Sequence, residues 1–441
     1  MNLINNQQRK DLFYTLIGRL WRIISGPVML LFIPLFLKPE QQGYWYLFGS
    51  ISMLSVLADL GFSGIVLQFS AHEYAFLHFT DKDLLAGDEL YLKRLGSLFR
   101  FIFRRILLLC IIVFPIIFIV GFAFFVRDGV LNVYLVPWLL YSFGAMINFF
   151  CNFIMSFIEG MDKITSIQKI RFIALVVYTG IVPVSLFLGI NIYALAFGTL
   201  MSALVVPFLI VYKFKPIFKK LLDISSGFSY NWKNDINPLL TRYIIGGVFA
   251  YFVFQIYIPI VHFFHGPVYS GKVGITLALV MALVDISGIW IYTIVPKINM
   301  LISKKIWLEL DLLFKKRMKF SLGTYILGIL ATFVAVYFFR NIWIFPKIFD
   351  RFLPFKSILI LLSCYFFQLV ISNLAIYLRS HKQEPLMGQA ILAFCWVVPS
   401  TILAGKYLPP NWIFVGFLSS YLFLIPINLS IFFKCRKLWH T

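Results

Sequence analysis

The sequence predicts an all-α integral membrane protein of about twelve transmembrane helices, in two six-helix bundles related by a pseudo-two-fold axis along the membrane normal. Three observations lead there. Hydrophobic residues make up 61% of the 441 and charged residues only 13%, about half the charged share of a soluble domain. The apolar residues stand in long unbroken runs of the ~20 residues a helix needs to cross a bilayer, not the ~10 alternating residues of a barrel strand. A short motif in the second run also returns in the eighth, close to half a chain later.

In chain order the runs cover approximately 13–37, 43–68, 106–126, 133–158, 172–189, 192–213, 238–264, 270–296, 320–339, 356–378, 386–405 and 411–433, to within ~3 residues at each end. No connection is long enough for a separate soluble domain. Arg9 and Lys10 precede the first run as in a signal peptide, but there is no small-residue cleavage site, so that run reads as an uncleaved helix. Lys and Arg gather in "KDLLAGDELYLKRLGSLFRFIFRR", "DKITSIQKIR", "KFKPIFKK", "KKIWLELDLLFKKRMK" and the tail "KCRK". Cytoplasmic loops hold such an excess, which places both termini and the loops near Lys93, Lys169, Lys219 and Lys316 on the cytoplasmic side. Basic loops beside anionic lipid headgroups also account for the net charge of +21, so no nucleic-acid partner is expected. Cys110, Cys151, Cys364, Cys395 and Cys435 are odd in number and unpaired in spacing, which reads as packing residues and not a disulfide framework.

The repeated motif is "MLSVLADLGFSGIV", with Asp59, and "LALVMALVDISGIW", with Asp285. Each is an apolar run, an Asp, then a Ser-Gly pair before the apolar run resumes. The run before each carries embedded cations, Arg19 and Arg22 in the first and Arg242 in the seventh. Six runs per half return the chain to its starting side, so the halves, 1–220 and 221–441, are expected to be parallel.

Arg22 lies ~13 Å inside its helix at ~1.5 Å per residue. An arginine in mid-bilayer costs at least ~2.5 kcal/mol, so such residues face a cavity, a partner or a substrate. Arg19 shares that face one turn nearer the interface, where it can also snorkel. Asp59 has nearly the depth of Arg22, and a structural pair would neutralise both. Arg19, Arg242 and Lys272 still leave a cationic surplus, which suits an anionic guest. Asp59 and Asp285 are candidates either for a coupling ion, H⁺ or Na⁺, or for fixed ion pairs. "GPVYSGKV", from Gly266, has the glycine spacing of a phosphate loop, but Val273 replaces the required Ser or Thr and no strand precedes it. Lys272 is therefore expected at the outer mouth of a cavity. There is no H-E-x-x-H, and His262 and His265 sit at an outer helix end where packing is the simpler role. Short non-cytoplasmic loops, the longest near 340–355, count against an enzyme.

With "GRLWR" in the first helix, "LADLGFSG" in the second and "EGMDKITSIQKIR" between the fourth and fifth, the whole chain resembles the bacterial O-antigen repeat-unit flippases. These belong to the multidrug/oligosaccharidyl-lipid/polysaccharide exporter superfamily. The resemblance implies alternating access between two bundles in the bacterial inner membrane. The implied guest is an undecaprenyl-pyrophosphate-linked oligosaccharide, an O-antigen or related surface polysaccharide repeat unit, carried from the inner to the outer leaflet. It implies that Arg19 and Arg22 hold the pyrophosphate, with Arg242 as their counterpart in the second half, although that helix lacks a second clear cation. Implied partners are the lipid-linked oligosaccharide, membrane lipids and the polysaccharide polymerase machinery; no cofactor is implied beyond the coupling ion. Trp21, Tyr44, Trp45 and Tyr46 suit either sugar stacking or an interfacial aromatic belt. The rival readings are a cation-coupled multidrug exporter of the same fold, which would want an acidic cavity, and a membrane enzyme of polysaccharide assembly.

Overall fold

The computed structural model describes residues 17–440 except 19–20, 22–24, 81–83, 226, 340, 343–344, 382 and 384, with backbone alone at 239, 241–246, 250 and 387. Helix α1 is Ser25–Phe36. It is followed by α2 Pro39–Ser52, α3 Ser55–Asp59, α4 Phe62–Tyr74, a hairpin of β1 Leu77–Phe79 and β2 Leu85–Gly87, α5 Glu89–Arg127, α6 Leu131–Gly160, α7 Ile164–Phe187 and α8 Tyr193–Ile224. The rest is α9 Trp232–Gln255, α10 Tyr257–Tyr292, α11 Val295–Ser303, α12 Trp307–Phe339, α13 Phe345–Phe349, α14 Phe355–Ser380, α15 Met387–Tyr407 and α16 Val415–Trp439.

Among the described residues nine helices are long and apolar enough to cross a membrane, ten when α2–α3 and α4, bent by 43°, count as one. The tally falls short of twelve for two reasons. The apolar stretch Gly247–Ser303 runs through two of the predicted segments, and the first segment is described only in part, as α1.

Two breaks in the helical backbone have local causes. Between α3 and α4, Leu60 (φ 40°) and Gly61 (φ 83°) turn left-handed. Asp59 then caps α4, its Oδ1 accepting from the Ser63 backbone N–H and its Oδ2 from the Ser63 hydroxyl, each at 2.8 Å. Within α10, Gly266 stands at φ 82°, ψ 179°. Pro267 bars the helical conformation for the residue before it, and only glycine takes this alternative without strain. The helical backbone therefore breaks at Gly266, in the stretch the sequence suggested as the connection between the seventh and eighth runs.

The chain divides into two compact units. One holds Phe48–Val248 with the described residues up to Ser25, the other Gly26–Leu47 with the chain from Phe249 onward, so the divide falls inside α2 and inside α9. In the first unit α5, at ~1.5 Å per residue, is ~58 Å long, well beyond a ~30 Å hydrocarbon core. Asp88 caps it by accepting from the Leu90 N–H at 2.8 Å. Its polar end fastens the connection between α8 and α9. Arg100 donates to the carbonyls of Ser225 and Phe228, Trp232 donates to the Ser97 hydroxyl at 2.9 Å, and Arg94 lies 4.5 Å over the Tyr230 ring while pairing with the buried Glu73 at 2.8 Å.

In the second unit one core gathers Tyr257, Tyr325, Tyr365 and Phe417 from α10, α12, α14 and α16. The last turn of α16 is clasped separately. Asp311 accepts from the Tyr377 hydroxyl at 2.8 Å and from Arg436 Nε at 3.0 Å, while His440 stacks on Trp307 at 4.4 Å and His381 on Trp439 at 4.6 Å. All five cysteines are free: Cys110, Cys151 and Cys364 are buried, Cys435 is partly buried and Cys395 is exposed.

Candidate functional site

The site grows from a close helix crossing in the second unit. A Cβ on Gly43 would stand 2.0 Å from the Pro267 carbonyl oxygen, and one on Gly271 would stand 2.9 Å from the Gly43 nitrogen. One turn further along α10, a Cβ on Gly274 would meet the Tyr46 ring at 2.2 Å. Small residues at these positions let α2 and the second limb of α10 touch backbone to backbone. The kink at Gly266 sets that limb's direction, and side chains hold it: Ser270 donates to the Pro267 carbonyl at 2.9 Å, and His262 Nδ1 lies 3.0 Å from the Ser270 hydroxyl. His262 packs its ring 5.0 Å from Tyr44, so it is a packing residue, as expected. The phosphate-loop spacing around Lys272 therefore serves a helix crossing.

Gln42 locks the crossing from the α2 side. Only 1% exposed, it donates through Nε2 to the Gly271 carbonyl at 2.8 Å and to the Arg351 carbonyl at 3.4 Å. Arg351, in the turn after α13, returns a bond from Nη2 to the Leu37 carbonyl at 2.8 Å. The Leu353 N–H donates to Thr276 Oγ1 at 3.1 Å, and that hydroxyl donates to the Lys272 carbonyl at 2.7 Å. Three chain segments, 34–42, 268–276 and 347–353, are thereby tied into one wall.

This wall borders a half-open cavity of about 400 Å³ lined by Lys272, Lys347, Asp350, Arg351 and Gln42, with Pro34, Leu35, Pro39 and Val268 as its apolar part. Three cations face one carboxylate. Burial pushes the Arg351 guanidinium pKa down, while Glu40 and Asp350 push it up; a guanidinium stays charged through such a shift. Among the described residues, Gln42 Oε1 and Arg351 Nη1 are buried without a hydrogen-bond partner.

Of the residues singled out in the sequence, Lys272 lies in this cavity. Arg19 and Arg22 lie outside the described residues, and Arg242 is described only by its backbone within α9. Asp59 is the cap of α4, whereas Asp285 stands exposed in the unbroken second limb of α10, so the two halves of the sequence repeat have different local geometry. Trp21 donates to the Thr179 hydroxyl at 2.9 Å and meets Phe172 edge-on. Tyr44 and Trp45 are buried at 2% and 6% exposure, which makes them core and leaves no face for a sugar. Sequence reasoning missed Gln42, Lys347, Asp350 and Arg351. It also read Arg105 as a loop cation, whereas its guanidinium lies 4.9 Å over the Phe62 ring and donates to Asn237 at 2.9 Å. Among the described residues no group of three His, Cys, Asp or Glu side chains is placed to hold a metal ion.

No family model matches the chain, and no curated protein does. Among solved structures, it is similar to a multidrug resistance MATE family transporter of the MOP superfamily in an inward-facing conformation, at 14% identity and TM-score 0.63, over 96% of this chain and 95% of that one. A second, a MATE protein in complex with MaD3S, aligns over 96% and 94% at 13% identity with TM-score 0.45. The first likeness shows the fold, an all-α membrane architecture of that transporter type.

Proposed function

We propose that the chain is an alternating-access transporter of the bacterial inner membrane that moves an undecaprenyl-pyrophosphate-linked oligosaccharide from the inner to the outer leaflet. The observation that carries this reading is the sign of the charge in the cavity lining and in the predicted spans. Lys272 stands with Lys347 and Arg351 against a single lining carboxylate, and Arg19, Arg22 and Arg242 add cations to predicted spans, where each must find an anionic guest or partner. The transporter fold supports the moving parts; the guest is inferred from the charge. In this reading the rocking halves are 1–220 and 221–441, both termini are cytoplasmic, Arg19 and Arg22 grip the pyrophosphate, and Asp285 is the candidate for H⁺ or Na⁺ coupling. The prenyl tail stays in lipid, where it needs no site.

One observation favours a second reading. The solved structure of similar fold is named as a multidrug resistance transporter, and a drug exporter of this fold would take cationic guests. The two readings part at Arg22. If Arg22 binds pyrophosphate as a planar fork, Arg22→Lys loses most activity although the charge is kept, and Arg22→Ala loses nearly all of it while the protein still accumulates in the membrane. The measurement is surface polysaccharide in a transporter-null strain carrying each variant, normalised to membrane protein. Full polysaccharide from Arg22→Ala, or its rescue by adding Asp59→Ala, would overturn the reading.

A further inference from the structure

The cavity around Lys272 has a chemistry of its own. At about 30 Å³ per water-sized group, 400 Å³ holds about thirteen such groups. A hexuronate ring is smaller than that and fits with room for water, whereas phosphate would leave most of the space empty. Its charges are mixed: Lys272, Lys347 and Arg351 stand against Asp350 in the lining, and Glu40 is close enough to Arg351 to oppose the burial that lowers its pKa. A multiply charged phosphate gains from the cations but is repelled by the carboxylates. A ring carrying one carboxylate among several hydroxyls gains from both, because Asp350 accepts from hydroxyls while an ammonium or guanidinium takes the acid.

The remaining wall fits the same guest. Pro39, half-buried in the lining, offers an apolar ring suited to the C–H face of a pyranose. The Gly43–Gly271 crossing fixes the walls in advance, which lowers the ordering cost of binding.

We propose that this cavity binds an anionic sugar residue, a carboxylated pyranose such as a uronate. The proposal stands on the cavity's own chemistry; in the topology given above it lies at the non-cytoplasmic end of the molecule, so it also deepens the translocation reading by naming the sugar class.

The test uses the full-length protein in phosphatidylcholine nanodiscs, with glucuronate, glucose and inorganic phosphate as probes in saturation-transfer NMR. Glucuronate should bind at least about tenfold more tightly than glucose, the worth of one charge-assisted hydrogen bond. Equimolar phosphate should fail to displace it. The exposed Lys347 allows a variant that spares the fold: Lys347→Glu should weaken glucuronate about tenfold or more without lowering the melting temperature, and Lys347→Arg should keep most of the affinity. Equal binding of glucose and glucuronate, displacement by phosphate, or an unaffected Lys347→Glu overturns the proposal. So does loss of glucuronate binding in phosphatidylglycerol nanodiscs, which would assign the cavity to a lipid headgroup. A protein that binds glucuronate but moves no lipid-linked sugar overturns the translocation reading alone.

Discussion

Gly43→Ala is the sharpest perturbation of the fold around the cavity. The new methyl would lie 2.0 Å from the Pro267 carbonyl oxygen, 2.5 Å from its carbon and 2.8 Å from its Cα. All three are backbone atoms and cannot turn aside. Reaching an ordinary contact of 3.4 Å requires the helices to part by about 1.4 Å, which carries the 2.8 Å bond from Gln42 to the Gly271 carbonyl past hydrogen-bonding range. Overpacking costs about 1–3 kcal/mol, and a buried amide left unpaired about 1–3 more. The control is Gly323→Ala in α12, where a methyl meets nothing within 4 Å and the helix gains up to about 1 kcal/mol in propensity. Thermal melts of detergent-solubilised protein, followed by fluorescence-detected size exclusion, should show Gly43→Ala several degrees below wild type and Gly323→Ala at or above it. A Gly43→Ala protein that melts like the control would refute the reasoning, because the crossing would then be loose enough to admit a methyl.

Asp59 and the C-terminal clasp give two further predictions. Asp59→Ala removes both acceptors of Ser63 and should cost about 0.5–2 kcal/mol, whereas Asp59→Asn keeps a carbonyl for the cap and should melt and transport nearly as wild type; a transport-dead Asp59→Asn of normal stability would move Asp59 into ion coupling. Burial pushes the pKa of His381 and of His440 below the ordinary histidine value, with Asp311 opposing in both cases, so the unfolded chain binds more protons than the folded one. Their contribution is therefore fully present above about pH 6.5 and is lost as pH falls through the lowered folded values. Wild type should melt lower at pH 5 than at pH 7, and His381→Gln with His440→Gln should flatten that slope; an unchanged slope would refute the assignment.

The helices were legible in the sequence because the bilayer sets one length for all of them, and each predicted run meets a helix wherever the chain is described. The breaks were legible only in part. Pro267 announced the kink at Gly266, but Leu60 turns left-handed without any β-turn residue of its own, and the turn is held by a cap that Asp59 can supply only once Ser63 follows in helical phase. The repeat misled at the same point: Gly61 permits a break after Asp59, while Ile286 continues the helix after Asp285. Of the site, Lys272 was found from its place at a helix mouth. Lys347 and Arg351 were not, although "FPKIFDRF" puts two cations in a loop that the sequence-derived topology places outside the cytoplasm, where few are expected. Gln42 left no trace, since a buried glutamine becomes visible only through the distant carbonyls it meets. Arg94, Arg100 and Arg105 read as loop charge because their partners lie elsewhere along the chain, in α4, in the α8–α9 connection and in α9.

The bond from Gln42 to the Gly271 carbonyl joins residues 229 apart, and that from Arg351 to the Leu37 carbonyl joins residues 314 apart. At about 5–20 residues per second, the ribosome releases Gly271 roughly 10–45 s after Gln42. Throughout that interval the start of α2 is already in the membrane with its amide unspent and Gly43 facing no partner. The early chain must wait in a provisional arrangement, held by lipid, water or the insertion machinery, until α10 arrives. Assembly of this wall is therefore a late event in biogenesis. Chains truncated before residue 271 should be clients of membrane quality control, even though α5, α6, α7 and α8 are each already long and apolar enough to cross the bilayer.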